Sequence, residues 1–126
     1  MLMDKQKPVQ QLMNDFLEEL CECVGDMHRH LLSLAQHPEP PVQAMLINEL
    51  YRAAHKMKGA AIAARVPAVE KLCRQMQEIL NNVRDGQRMM DDGLHTQFMN
   101  AVIWLRAAET LLRDGGVPES GDAVFE

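Results

Sequence analysis

Apolar residues return every three or four positions along most of this chain. That is the period of an α-helix rather than the period of two that marks a strand. The first such run is Leu12, Met13, Phe16, Leu20, Val24, Met27, Leu31 and Leu34, and Asp15, Glu18, Glu19, Glu22 and Asp26 occupy much of the opposite face. The pattern predicts one long amphipathic helix from Val9 onward, with Pro8 just inside its start. The stretch His37-Pro38-Glu39-Pro40-Pro41 cannot continue it and reads as a connection. Pro41 can open a second helix with the stripe Met45, Leu46, Leu50, Ala53, Ala54, Met57 and Ala61. This helix should stop near Arg65, because Pro67 disfavours helical geometry at Val66. Pro67 suits the first turn of a third helix carrying Val69, Leu72, Cys73, Met76, Ile79, Leu80 and Val83. Gly86 closes that helix, with Arg84 near its negative end. A fourth runs from about Asp91 through Leu94, Phe98, Val102, Leu105, Ala108 and Leu112.

Four amphipathic helices with mostly short connections predict an all-α, up-down-up-down antiparallel four-helix bundle, with room for an extra short helix. The second and third helices are joined so closely that they must be antiparallel neighbours. The expected division is an N-terminal segment over 1–8, the bundle over 9–113, and a flexible tail over 114–126. The tail reads Asp-Gly-Gly-Val-Pro-Glu-Ser-Gly-Asp from Asp114, which is linker composition.

Composition changes this picture little. The 126 residues are 47% apolar and 25% charged, the balance of one ordinary globular domain. No apolar run approaches the roughly 18 residues that span a bilayer, and Met-Leu-Met-Asp-Lys at the N-terminus lacks the core of a secretory signal. Three cysteines, an odd number without a framework of spacings, suggest reduced thiols and a cytoplasmic location. Cys21 and Cys23, like His28 and His30, are two apart and diverge by about 200° on a helix, so neither pair predicts a metal site.

Charge changes the picture more. The net charge of −5 argues against nucleic acid as a partner. It is unevenly spread, however. The window from Arg52 to Arg74 holds six basic residues and one acid, a net of +5, while the rest carries seven basic and seventeen acidic residues, a net of −10. Inside that window His55 points away from the apolar stripe of the second helix. Arg52, Lys58 and Gly59 share its face. The mid-helix glycine costs about 1 kcal/mol relative to alanine and leaves room for a bulky group or a partner.

Tyr51-Arg-Ala-Ala-His-Lys-Met-Lys-Gly-Ala-Ala61 resembles the phosphoacceptor signature of histidine-containing phosphotransfer (HPt) domains, His-x-x-Lys-Gly in the second long helix of a bundle. Phe16-Leu-Glu-Glu-Leu20 and Asn48-Glu-Leu-Tyr-Arg-Ala-Ala-His55 are similar to the phosphoacceptor domain of CheA-type chemotaxis kinases. The resemblance covers roughly residues 9 to 113. It implies that His55 carries the phosphoryl group on Nε2, that Lys58 neutralises the phosphoryl oxygens, and that Gly59 gives clearance. It also implies that a residue 22 positions after the histidine, on the third helix, reaches Nδ1. CheA-type domains have Glu there and relay-type domains often have Gln; this chain has Gln77. CheA-type domains often carry a second histidine where Arg74 stands. The front half thus resembles a CheA domain, and the orienting residues resemble a relay carrier. The family's usual second glycine, ten positions after the histidine, is Arg65 in this chain. Arg52, Lys56 and Arg74 are candidates for phosphate or partner contact, and equally for ordinary surface salt bridges.

The chemistry fits the residue types. An ordinary imidazole titrates near pH 6.5, about, so a nucleophilic nitrogen is available at neutral pH. Phosphoryl transfer needs positioning and charge stabilisation more than covalent machinery. The resemblance implies a sensor or CheA-type kinase upstream and a receiver domain downstream, with Mg²⁺ held by the receiver and no cofactor on this chain. The sequence shows no phosphate-binding glycine loop, so self-phosphorylation from ATP is not expected. Monomer is the default state. Two other readings remain: an acceptor domain excised from a CheA-type kinase, and a helical interaction module that is never phosphorylated.

Overall fold

The computed structural model describes the backbone of residues 2–126 and the side chains of residues 9–126. Four helices follow in order: α1 (Leu2–Leu34), α2 (Pro40–Ala64), α3 (Pro67–Arg84) and α4 (Asp92–Arg113). A short 3-10 helix (Asp122–Phe125) ends the chain. The all-α four-helix bundle read from the sequence is therefore the fold. One boundary moves: α1 begins at Leu2 rather than at Pro8. The helix runs through Pro8 and gives up one backbone hydrogen bond there.

The core is built as the periodicity requires. Leu20, Met27 and Leu31 of α1 meet Leu50 and Met57 of α2, Leu72, Met76 and Leu80 of α3, and Phe98 and Leu105 of α4 in one buried cluster. Burial pushes the Cys73 thiol up to about 12, so at neutral pH Cys73 packs as a small neutral group. Two expected stripe members lie outside the core. Leu12 and Met45 are about half exposed, and Ile47 is buried near the start of α2 instead. Met45 and Ile47 diverge by about 200° around the helix, so only one of them can face the bundle.

Helix ends show how the sequence sets the connections. Asp91 caps α4, its carboxylate accepting from the Leu94 N–H at 2.8 Å. At the end of α3, Gly86 N–H donates to the Val83 carbonyl and Gln87 N–H to that of Asn82, with Gly86 at φ 77°. The end of α2 has the same pair of bonds. Arg65 N–H donates to Ile62 and Val66 N–H to Ala61, and here the left-handed residue is Arg65, at φ 59° and ψ 52°. Both ends are Schellman closures, in which glycine usually takes the left-handed position. An arginine there costs about 1–2 kcal/mol. The missing second glycine thus changes the strain at the end of α2 and not the path of the chain. Val66, which follows the left-handed residue, is buried in the core, and its burial helps hold the closure.

The segment 114–126 is not the flexible tail that its composition suggested. Packing is uneven around the bundle: α2 lies closely against both α1 and α3, whereas α3 and α4 barely meet. The C-terminal segment folds back over that open seam. Phe125 sets its ring edge-on to Phe98, with centroids 5.0 Å apart. Asp122 accepts from the Lys71 ammonium at 3.0 Å. Gly121 lies flat on the Trp104 indole, where a Cβ would come within 3.1 Å of the ring. Glycine and proline gave the segment its linker look. Here Gly121 is needed for a close approach, and Pro118 is buried.

Candidate functional site

The site is built on the α2–α3 pair. The Gln77 carboxamide reaches the His55 Nδ1 at 3.0 Å, and Arg84 donates to the Asn48 side chain at 3.3 Å. These cross-links lie seven residues apart on each helix and run in opposite directions, which fixes a strict antiparallel register. His55 is exposed, while Gln77 is 6% exposed and is the buried polar residue of the bundle among those described. A soft, exposed imidazole is thus held from below by a fixed amide. Its Nε2 makes no hydrogen bond to the described residues and faces outward.

Gln77 carries a further detail. As placed, its Nε2 faces the ring, and its Oε1 is buried without a partner. An amide that donates to Nδ1 leaves the neutral ring's proton on Nε2. A half-turn of the amide presents Oε1 to an Nδ1–H instead, which moves the lone pair to Nε2. A glutamine can therefore serve either tautomer, whereas an ionised glutamate could only accept.

Above the ring, Tyr51 lies one turn earlier on the same stripe. Its ring is within 10° of parallel to the imidazole, with centroids 6.5 Å apart. The Arg84 guanidinium also lies over the Tyr51 ring, 4.0 Å from its centroid. This Arg84–Tyr51–His55 stack was not singled out in the sequence. An aromatic residue four positions before a histidine on an exposed helix face is the signal that could have found it. Ile62, seven positions after His55 on the same stripe and 54% exposed, was also passed over.

The other candidates divide. Gly59 has open space around it: a Cβ built there meets nothing within 4 Å. The fold therefore gives no steric reason for that glycine. Lys58 is half-buried beside His55 and forms no ion pair among the described residues. Its charge acts on the Cys73 thiol, which places it toward α3. The remaining basic residues are already engaged. Arg52 pairs with Glu49 at 3.3 Å, Lys56 with Glu19 at 3.9 Å and Arg74 with Glu70 at 2.6 Å. The positive island of the sequence is thus partly neutralised in the fold, because helix spacing and the α1 neighbour bring carboxylates to it. Such exposed pairs are worth about 0–1 kcal/mol and exchange readily.

The site thus holds an imidazole with one nitrogen hydrogen-bonded, beside an ammonium with no ion pair among the described residues and a bare helix face. The Hpt domain family profile matches residues 11–114. The chain belongs to the Hpt domain family. The Hpt chain is 25% identical over 108 residues to the sensor histidine kinase CheAY of Helicobacter pylori, a match covering 86% of this chain and 13% of the relative. It is 31% identical over 84 residues to the chemotaxis protein CheA of Salmonella typhimurium, covering 67% of this chain and 12% of that protein. The chemotaxis protein CheA of Klebsiella aerogenes is 32% identical over 85 residues. The Hpt chain therefore spans about an eighth of the length of the curated relatives it matches. No described helix is long and apolar enough to cross a membrane.

Proposed function

We propose that this Hpt domain is a phosphocarrier. His55 accepts a phosphoryl group on Nε2 and passes it to the aspartate of a receiver domain. The observation that carries this reading is the 3.0 Å contact between Gln77 and the His55 Nδ1, which leaves Nε2 outward and unpartnered. In the accepting step the Nε2 lone pair attacks phosphorus and a P–N bond forms. The P–O bond to the donor breaks, and its electrons leave with the donor's carboxylate or with ADP. The Nδ1 proton stays on the ring, held by the Gln77 oxygen after the amide's half-turn. In the return step the receiver carboxylate attacks and the P–N bond breaks toward Nε2. Lys58 offsets negative charge on the phosphoryl oxygens in both directions. Gly59 admits the phosphoryl group and the partner's surface. Mg²⁺ belongs to the receiver's acidic pocket in this scheme, and the upstream donor is a sensor or CheA-type kinase domain.

The test is incubation with a CheA-type kinase domain and labelled ATP, followed by a phosphorylated receiver in the reverse direction. Acid-labile, base-stable phosphate is expected on the wild type and absent from His55→Gln. Label that persists on His55→Gln would sink the assignment.

One observation favours a second reading. Because the chain spans only 12–13% of its kinase relatives, the same acceptor would also serve as the substrate domain of a longer CheA-type kinase. The neighbouring coding sequence separates the two, since the second reading requires an ATP-binding domain in the same frame.

A further inference from the structure

A groove of about 460 Å³ opens where α2 begins, α3 ends and the α3–α4 connection crosses between them. Its floor is apolar, formed by Ile47 and Val83, and its wall is Met89 and Met90. Its charged groups are Arg84 and Arg88. The chain has 18 acidic residues, yet none lines this groove. Glu39 and Asp85, chain neighbours of Pro40 and Arg84, are not among the residues that line it. This contrasts with the smaller groove between α1 and α2, where Glu22, Asp26 and Glu49 face Arg52 and Lys56. There the charges answer one another, whereas here two cations face none.

The rim is fixed in place. Gln87 and Arg88 both donate their backbone N–H to the Asn82 carbonyl, at 2.9 and 3.2 Å. Arg84 is held by Asn48 and by the Tyr51 ring. Met89 is 80% exposed at the mouth of a groove whose floor residue Ile47 is 3% exposed. An adaptable thioether standing in water over an apolar floor is poorly placed for stability and well placed for covering an incoming side chain.

The groove also lies on the histidine's side of α2. Asn48 and Ala44, which line it, precede His55 by seven and eleven positions and so fall on the same helical stripe. At 1.5 Å per residue they are roughly 10 and 16 Å from it. That separation allows one partner to reach both.

We propose that this groove docks an acidic, amphipathic segment of a partner protein, with an apolar side chain on the Ile47–Val83 floor and flanking carboxylates on Arg84 and Arg88. Charge complementarity selects the partner: Arg84 and Arg88 favour carboxylates and disfavour a basic segment. Docking does not depend on His55 chemistry, so it should survive His55→Gln.

The probe is a fluorescein-labelled amphipathic peptide of leucine and glutamate, with two controls: leucine replaced by serine, and glutamate replaced by lysine. Anisotropy titration at physiological salt should show saturable binding of the first and not of either control. Amide shift changes should concentrate on residues 43–48 and 83–90. Arg88→Glu should weaken binding by about tenfold or more, as expected when a like charge replaces an opposite one, and Met89→Ser should weaken it several-fold. Both positions are exposed and outside the helices, and an unchanged circular dichroism melt confirms that the fold is kept. Three results would overturn the proposal. These are no binding of the acidic peptide, binding indifferent to Arg88→Glu, or shift changes centred on His55 instead. Sedimentation showing a dimer that Arg88→Glu dissolves would assign the groove to a second copy of this chain, and that too would overturn it.

Discussion

Among the histidines of this bundle with one ring nitrogen hydrogen-bonded, His95 and His55 serve opposite ends. His95, half-buried in the first turn of α4, places its Nε2 2.7 Å from the Leu31 carbonyl of α1. A carbonyl only accepts, so the neutral ring keeps its proton on Nε2 and that nitrogen is spent on the fold. His55 meets an amide through Nδ1 at 3.0 Å and leaves Nε2 facing water. The lesson is that a histidine's availability is set by which nitrogen is occupied and by whether its partner can reverse roles. Exposure alone does not decide it. A backbone carbonyl fixes one tautomer; a carboxamide that can turn fixes the ring's orientation and leaves the tautomer free.

The sharpest way to break this comparison is at the partner of His55. Gln77→Leu keeps the volume and removes the orienting amide. Phosphoryl acceptance should fall by about 10- to 100-fold, the usual cost of losing a group that orients a reacting imidazole. Stability should hold or rise, because the buried Oε1 without a partner is removed as well. Gln77→Glu should retain most of the rate, since a carboxylate can still accept from Nδ1–H. Equal loss in both variants would show that the amide contributes packing and not orientation. Single-turnover labelling, read beside thermal melts, gives the answer.

The opposite result is expected at His95. His95→Ala should destabilise the domain by about 1–2 kcal/mol, through a lost hydrogen bond and lost packing between α1 and α4, and leave the labelling rate of the folded protein unchanged. His55→Gln should do the reverse, abolishing label with a melting curve close to wild type. A stability loss at His55 comparable to that at His95 would erase the distinction.

Much of this was legible in the sequence, and the reasons can be traced residue by residue. The four helices follow from a sustained 3.6 period and from breakers that act locally, such as Pro67 and Asp91. The short connection Arg65–Val66 made α2 and α3 antiparallel neighbours, and the HPt resemblance, not the connection, implied that Gln77 would be the residue to reach His55. What escaped depends on tertiary contact. The docked C-terminal segment has linker composition, and only the open α3–α4 seam explains why Phe125 and Gly121 have somewhere to pack. The local ion pairs that occupy Arg52, Lys56 and Arg74 were half visible as helix spacing, but the α1 partner Glu19 was not. The Arg84–Tyr51–His55 stack requires the register between helices, which pattern alone does not supply.

Two backbone positions sharpen the contrast between fold and site at a smaller scale. Gly59 sits in mid-helix with open space beside it, and Arg65 sits where a glycine would relax the end of α2. Gly59→Ala should stabilise the domain by about 1 kcal/mol through helix propensity, and Arg65→Gly by about 1 kcal/mol through relief of the left-handed strain. Their effects on transfer should differ. In the proposed scheme Gly59 gives clearance to the phosphoryl group and the partner, so the added methyl of Gly59→Ala should slow transfer to a receiver. Arg65→Gly should leave the acceptance rate alone. Chemical denaturation and a receiver-transfer assay on the same two variants test both halves.

The smallest effect belongs to the docked C-terminal segment, which is structural in the way His95 is. Hydrogen bonds from Lys71 and Ser120 hold the Asp122 carboxyl below the ordinary carboxylate range. A carboxyl whose value is lowered on folding stabilises the docked form fully above its unfolded value, near pH 4, about. That contribution is lost as the pH falls through the lower folded value. Because the group is exposed, the pair with Lys71 is also weakened by salt. Trp104, the chain's one tryptophan, lies against Gly121 and reports the segment's position. Its emission should therefore change in a small transition below about pH 4, while the far-UV signal of α1–α4 remains. Asp122→Asn should show the acid emission already at neutral pH and abolish that transition. An Asp122→Asn protein whose Trp104 emission still matches the wild type at every pH would show that Phe125 on Phe98 holds the segment without help from the ion pair.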